Sequence, residues 1–537
     1  MKTRKEFAAL LIAAAIFPLL SCSRGGGGSE GVQTGAADDL SEHYVYTFSM
    51  LNWGQIYGTD FNSDVVAQHF QKKFNFEWDT TITTWDDWYQ KPVLWITSGD
   101  MPDLVFTDFN YNDYKNWAEQ ELLKRLPDGW KQKYPNLARL QELSVVGPEV
   151  EKRVEGNPAT LFNAAYSTLP TSPQIATHLS LFFRKDWAEV LGFEIKNQYT
   201  LQEFTAMVEK FMAEGFSLPG VTRGRTDTWN LDTGGVATAF LSSQWSNATR
   251  FYKDSSGKYV WGPDDPKVLE LLRYMKQAID KGIVSRNFAS FKNAEQDSLF
   301  ATGQAFGMYN HGWIEYVYRY FNQFREATGL DPFERLQQAV LTDANGQCQE
   351  YGILNFWSCL YFNPNLSDAK FSRLLSILDY IASDEGQDVI RLGFEGKDYT
   401  REGDLITITR AVDASGNFEP ISKLYPGAGI YSHITVCADE FAAKNPAIPQ
   451  EYQKYPRTMY DTKQKIGVDA GTVLPLNIDL YFHSGPNYLK FNTDVGAELV
   501  RVAMMDGDLT ANYNNWLREM HAVVDPVLAE LNAAFGK

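Results

Sequence analysis

The sequence predicts an α/β protein built of two halves, each a doubly wound sheet flanked by helices. Three observations predict it. Tyr44–Leu51, Ser63–Phe74, Thr80–Thr84, Trp85–Thr97 and Leu104–Phe106 read as strand, helix, strand, helix, strand, the rhythm of parallel β-α-β units. The stretch Asp297–Tyr320 (DSLFATGQAFGMYNHGWIEYVYRY) repeats that grammar in mid-chain: a short helix, a turn at Gly303, a buried strand over Ala305–Tyr309, then a turn that delivers Trp313 and opens a new helix. And once a leader is set aside, over 490 of the 537 residues remain, too many for one core and comfortable for two.

The leader comes first. Lys2, Arg4 and Lys5 form a positive end, Ala8–Leu20 an apolar run too short to span a bilayer, and Leu19-Leu20-Ser21-Cys22 closes it. That tetrapeptide resembles the bacterial lipobox, so residues 1–22 are expected to be a signal peptide ending at a lipidated Cys22. The alternatives are an ordinary secretory signal with a chance Cys, or a retained anchor. Acyl chains on Cys22 would hold the chain at a membrane surface, each buried methylene adding roughly 0.8 kcal/mol. Residues 23–40, opening SRGGGGS, read as a flexible tether.

The helix at Ser63–Phe74 rests on Val66, Phe70 and Phe74 at i, i+4 spacing. Ser98-Gly99-Asp100-Met101-Pro102-Asp103 is a turn into the strand Leu104–Phe106, and helices with acidic turns follow to about Val154, including Tyr134-Pro135-Asn136. Leu161–Ser167 and Leu179–Arg184 read as extended around a Pro/Thr/Ser-rich turn. Helices are expected at Asp186–Leu191, Thr200–Glu214 and Asp265–Lys281, the last ended by Gly282. Tyr351–Phe362 is a strand-like apolar run, Lys370–Gly386 a helix, and Gly393–Tyr399 a turn before a partly β region. Val495–Met505 and Asn512–Phe535 close the chain as helices. No internal repeat is visible.

The formal charge is −18, and losing Lys2, Arg4, Lys5 and Glu6 with the leader removes a net +2 and leaves −20. Such a chain without basic clusters argues against nucleic acid and anionic lipid as partners. The seven His residues are scattered without H-x-x-x-H pairing, no C-x-x-C occurs, and no metal or cofactor is expected. G-x-x-x-x-G-K-[ST] is absent, so ATP hydrolysis would belong to a separate subunit. Gly27–Gly31 matches G-x-S-x-G only by accident, inside the tether. Glycosidase chemistry needs two carboxyls across one bond, and Asp100 with Asp103 or Glu395 with Asp398 could be offered. Turn-capping explains both pairs better, and no catalytic residue is assigned. If Cys22 carries lipid, Cys348, Cys359 and Cys437 remain; whether Cys348 and Cys359 bridge neighbouring strands stays open.

Several segments then fall in a known order: the lipobox at Cys22, SGDMPDLVF at Ser98–Phe106, YPNLARL at Tyr134–Leu140, LSLFFRKDWAEVLGF at Leu179–Phe193, MKQAIDKGIVS at Met275–Ser285, F-x-x-G-x-A-x-G-M at Phe300–Met308, GFEGKDYT at Gly393–Thr400 and a closing helix led by Trp516. In that order the chain resembles the bacterial extracellular solute-binding lipoproteins of ABC importers, in the sugar-binding group, and among them the long oligosaccharide-binding lipoproteins. The resemblance implies a two-lobed, type II periplasmic-binding-protein-like fold with a ligand cleft between lobes. It puts lobe one at 40–165 plus 350–400 and lobe two at 166–345 plus 401–537, with hinges near 161–167, 345–360 and 400–405. One departure stands out. Many long relatives carry a calcium loop after the helix matching Thr200–Glu214, and Asp227 and Asp232 lack its spacing, so no calcium is expected there.

Open α/β sheets place ligands beyond the carboxyl ends of their strands, and an indole there suits the C–H face and hydroxyl edge of a sugar ring. Trp313 is therefore the first candidate, against the alternative of a helix-packing anchor. Trp53, Asp108 and Asn110 fall at strand ends that the resemblance faces toward it. Asn310 and Asp108 read equally as hydroxyl-fixing groups or helix caps, Trp245 as part of a platform, and Trp357 as cleft or core. Trp187 and Trp516 read as packing residues, and His311 as a turn donor. The expected function is capture of an oligosaccharide, or another small solute, for ABC permease subunits. The protein would be an extracytoplasmic monomer lipid-anchored at Cys22, on a Gram-positive surface or in a periplasm. The alternatives are a secreted polysaccharide hydrolase or lyase, or the same capture role for a peptide.

Overall fold

The computed structural model describes residues 40–51, 61–84, 86–162, 168–169, 172–176, 179–218, 221, 226–291, 295–351, 356, 358–403, 405–412, 418–419, 421–434 and 446–536. Cys22, Trp53, Trp357 and Cys437 lie outside them. The strands that matter here are β1 (Tyr44–Leu51), β2 (Phe76–Thr83), β3 (Leu104–Thr107), β4 (Thr160–Phe162), β5 (Leu179–Arg184), β6 (Gln198–Thr200), β7 (Asp227–Asn230), β8 (Ala305–His311), β9 (Leu336–Thr342), β10 (Glu350–Tyr351), β11 (Cys359–Phe362) and β12 (Val473–Leu474).

Ten of them form two five-stranded sheets, ordered β2-β1-β3-β11-β4 and β6-β9-β5-β8-β7, and β10 pairs with β12. β1 runs parallel to β2 from Tyr44↔Phe76 to Leu51↔Thr83, and parallel to β3. Neither sheet is wholly parallel, as the expected β-α-β rhythm alone would make it. β11 is antiparallel to β3 and β4, and β5 is antiparallel to β8 and β9. The reason is the route of the chain. β4 leaves the first sheet at its carboxyl edge and the chain enters the second at Leu179; β9 leaves the second at its carboxyl edge and the chain re-enters the first at Cys359. A strand that enters a sheet at the edge where its neighbours end must run against them.

Both faces of each sheet are covered, and the two-residue period shows it. In β11, Leu360 and Phe362 join the core of Tyr46, Trp78, Phe70 and Leu374, while Cys359 and Tyr361 join Val105, Tyr114 and Trp117 on the other face. In the second sheet Phe183 and Phe306 pack with Phe204 and Trp229, and Phe182 and Met308 with Tyr320 and Phe324. Trp187 and Trp516 are buried in that second core, as packing residues should be.

Local chemistry sets the helix ends. Asp64 caps Val65–Phe74 by accepting from the Val66 and Ala67 amides, and Asn75 closes it in the left-handed region at φ 49°. Thr200 and Glu203 make a reciprocal capping box for Leu201–Glu214. Asp232 caps Thr233–Ala237 through the Gly235 amide. Some boundaries differ from expectation. The helix predicted over Trp85–Thr97 runs over Gln90–Ser98, after a turn at 86–89. The one predicted over Lys370–Gly386 is two, Asp368–Ile381 and Asp384–Arg391, because Ser383 turns its hydroxyl to the Gly386 amide and starts a new helix. β2 starts at Phe76, not Thr80, because Phe76 and Trp78 pair with Tyr44 and Tyr46.

The later chain departs from the expected division. Residues 401–537 are expected in the second half, yet Tyr425, Ala428, Ile430, Tyr431 and Ile434 pack in the core of the first sheet. Tyr431 takes a hydrogen bond from Trp78 Nε1 at 2.8 Å and its ring lies 4.6 Å from that of Phe70. The crossing expected near 400–405 is instead part of a hairpin, Tyr399–Glu402 with Leu405–Ile408, packed on Leu392. The chain passes to the second core after 434, where Ile448 and Tyr452 join Tyr320 and Phe324. The segment 478–482 touches both cores: Leu480 joins the second, while Ile478, Tyr481 and Phe482 pack against the first. Cys348 and Cys359 carry free thiols buried in different clusters, so they do not bridge. Among the described residues no helix is long and apolar enough to cross a membrane.

Candidate functional site

β8 ends at the carboxyl edge of the second sheet, with Asn310 opposite Ser180 and His311 opposite Leu179 on β5. Gly303, at φ 75°, makes the left-handed turn that starts this strand. Gly312 ends it, and here only glycine fits. A Cβ there would overlap Ser180 Oγ and lie 2.5 Å from Gln338 Nε2. Gln338 Nε2 itself donates to the Gly312 carbonyl at 2.6 Å and to Ser180 Oγ at 3.0 Å, fixing the turn against the sheet. Trp313 comes next as the N-cap of the helix Ile314–Thr328, its carbonyl accepting the Tyr316 and Val317 amides at 3.0 Å.

The Trp313 side chain is half-buried, neither sealed in a core nor bare. Its indole stacks on the His311 ring at 5.0 Å and 27°, and meets the Tyr316 ring edge-on at 5.0 Å and 83°. His311 and Tyr316 are 4.8 Å apart, so the three rings hold one another. Arg319 lies 4.4 Å from the Tyr316 centroid and pairs with Asp297 at 3.2 Å. Asp297 also accepts from Tyr320 Oη at 3.1 Å and from Asn310 Nδ2. Burial raises the Asp297 pKa, and Arg319, Asn310 and Tyr320 oppose that rise. Burial and then the Arg319 charge push His311 down to about 4, so at neutral pH the indole rests on an uncharged imidazole.

Asn310 Nδ2 donates to Asp297 and its Oδ1 accepts the His311 amide at 2.8 Å, so its side chain serves the turn. At the first sheet, Asp108 follows β3 and is half-buried; burial raises its pKa and a hydrogen bond from Trp88 lowers it. Asn110 accepts the Asn112 and Asp113 amides at 3.0 and 3.2 Å, the work of a cap for Tyr111–Glu119. Trp245 is half-buried, edge-on to Tyr252 at 5.6 Å with Lys267 5.6 Å from its ring. Of the carboxylates weighed for catalysis, Asp103 and Asp398 are spent on turns and packing. Asp103 accepts the Thr47 amide at 2.9 Å and pairs with Lys370 at 2.8 Å, and Asp398 accepts the Phe394 amide at 2.8 Å and Tyr425 Oη at 3.0 Å. Tyr316 is the residue that sequence reasoning passed over. Its place three residues beyond Trp313 on a helix was the available signal.

Residues 56–330 match the family model of the bacterial extracellular solute-binding protein, just over half of the chain. The chain belongs to that family. It is a family of binding proteins that work outside the cytoplasm. The polygalacturonan/rhamnogalacturonan-binding protein YtcQ of Bacillus subtilis (strain 168) is 22% identical over 336 residues, covering 61% of this chain and 63% of that protein; the match therefore spans under two thirds of the curated relative. Among solved structures, the alginate-binding protein AlgQ2 without calcium ion is 14% identical with a TM-score of 0.63, over 92% of this chain and 98% of that one. The substrate-binding protein FusA of S. pneumoniae in complex with kestose is 14% identical with a TM-score of 0.63, over 90% and 97%. An extracellular solute-binding protein of Bifidobacterium longum subsp. infantis is 12% identical with a TM-score of 0.62, over 90% and 95%. At these identities the likeness is one of fold. The solute-binding protein has the two-lobed α/β architecture of the type II kind.

Proposed function

We propose that this solute-binding protein captures an oligosaccharide between its lobes and delivers it to ABC permease subunits served by a separate ATPase. The observation that carries the reading is the Trp313 indole, half-buried at the carboxyl edge of the second sheet and backed by His311 and Tyr316. A flat apolar ring backed by other rings and only half-buried suits stacking of a sugar ring. The names of the Bacillus subtilis relative and of the kestose complex support sugar as the solute class.

In this reading lobe one comprises 40–165, 350–400 and the packed segment 421–434, and lobe two comprises 166–345 and most of 446–537. Asp108, Asn110, Asn310, Trp245, Trp53 and Trp357 supply further contacts, Cys22 carries lipid that tethers a monomer outside the cytoplasm, and no covalent chemistry occurs. Closure about the crossing segments buries the sugar and presents a docking face. Titrating a panel of oligosaccharides against the protein while following tryptophan fluorescence and melting temperature tests this. A saturable response that Trp313→Ala weakens is expected, and no response to any oligosaccharide overturns the reading.

A further inference from the structure

The chain has 67 acidic and 49 basic Lys and Arg residues, so an arginine finds a carboxylate easily. Arg184 pairs with Asp186, Arg319 with Asp297, Arg501 with Glu498 and Arg153 with Glu149. Arg250 does not. Among the described residues its guanidinium meets no carboxylate; it lies 4.2 Å from the Tyr351 ring centroid, and the ionisable groups that act on it are Tyr351 and Tyr488. Its side chain is open to solvent, yet surrounding protein desolvates it enough to lower its basicity.

Arg250 stands where the chain crosses between sheets. Tyr351 belongs to β10, which pairs in parallel with β12 through Glu350↔Val473 and Tyr351↔Leu474. Ser246 Oγ lies 3.1 Å from the Glu350 carbonyl and 3.2 Å from the Thr472 carbonyl, stapling the turn 245–250 to both crossing strands. That turn carries Trp245, Asn247 and Arg250. Asn247 Oδ1 is buried without a hydrogen-bond partner among the described residues, which points to a ligand group or water completing it. Tyr351 and Tyr488 are half-buried beside the guanidinium.

From these neighbours we infer that Arg250 is a specificity-determining residue that reads the carboxylate of an acidic sugar, so that the captured oligosaccharide contains uronate residues. A planar guanidinium with unspent donors matches a carboxylate in two parallel hydrogen bonds, and the Tyr351 ring holds it from 4.2 Å. The overall negative charge does not forbid such a ligand, because exposed charges beyond about 8 Å are screened at physiological ionic strength. The local cation decides.

This inference rests on the capture reading, and one experiment separates them. Calorimetric titrations of wild type, Arg250→Gln and Arg250→Lys would use a short oligogalacturonate, its fully methyl-esterified counterpart and a set of neutral oligosaccharides. Wild type is expected to bind the acid at least about tenfold more tightly than the ester, an advantage that shrinks as salt is raised. Arg250→Gln should bring acid and ester to within about twofold of each other, and Arg250→Lys should fall between, with the melting temperature of each ligand-free variant unchanged. An unchanged acid-to-ester ratio in Arg250→Gln overturns the role of Arg250. Wild type binding neutral sugars but showing no preference for the acid overturns the uronate class and leaves capture standing. Binding of none of them overturns both.

Discussion

Trp313 and His311 face each other ring to ring at 5.0 Å and 27°, two residues apart across a glycine that admits no other side chain. The sheet fixes His311, and His311 and Tyr316 fix the indole. If Trp313 stacks on a sugar as proposed, most of the ordering cost of that contact is met in the ligand-free fold.

Removing that platform should cost binding rather than folding. Trp313→Ala is expected to weaken oligosaccharide affinity by about 2 kcal/mol, roughly thirtyfold, the scale of an aromatic anchor. Its half-buried side chain lies outside the main cores, so the melting temperature should move little. Calorimetry and thermal denaturation on one preparation check this. An affinity within twofold of wild type would remove Trp313 from the site.

Gly312→Ala should cost folding as well as binding. Its Cβ would overlap Ser180 Oγ and crowd Gln338 Nε2, so β8 and β9 must shift or the turn must open. The expected cost is about 1–3 kcal/mol in urea denaturation, with binding weakened as well because Trp313 moves with the turn.

The His311 imidazole makes stability depend on pH. Its folded pKa, depressed by burial and by Arg319 to about 4, lies below the unfolded value of about 6.5. Between those values the unfolded chain holds the extra proton. This contribution is therefore complete above about pH 6.5 and is lost as the pH falls toward about 4. Melting temperature followed over that range should drop less steeply in His311→Phe than in wild type.

The crossing region holds a buried ion pair. Lys463, with 1% of its side chain exposed, donates to Glu350 on β10 and to the Leu179 carbonyl at 2.7 Å, tying the crossing strand to the first residue of β5. Lys463→Met leaves the Glu350 carboxylate without its partner and should cost about 3–5 kcal/mol. Lys463→Met combined with Glu350→Gln should recover much of that loss. A double-mutant cycle by chemical denaturation measures the coupling; additive losses would show that the pair is not coupled.

Much of this site was legible in one dimension. The turn at Gly303, the strand through Tyr309 and the placing of Trp313 at the head of a helix all follow from neighbours a few residues apart. So did the two sheets, because apolar periodicity and turn chemistry are local signals. Tyr316 was within reach of the same reasoning, one helical turn beyond Trp313. Asn310 was ambiguous from sequence, since a short amide after a strand can cap a backbone or meet a ligand, and Asn110 was a candidate only through the resemblance. Only the positions of the Asn112 and Asp113 amides and of Asp297 show how they are spent.

By itself, then, the sequence determined the α/β class, the order of most elements, the strand-turn-helix unit that presents Trp313, and the order of motifs shared with the solute-binding family. Tertiary structure decided the reversed directions of β5 and β11, the return of 421–434 to the first core, the two-sided packing of 478–482 and the meeting of Arg250 with Tyr351. The physical reason is range. Periodicity and capping act within a turn or two of chain, whereas strand direction and the partner of a charged side chain depend on which distant segments meet, and no local pattern encodes that meeting.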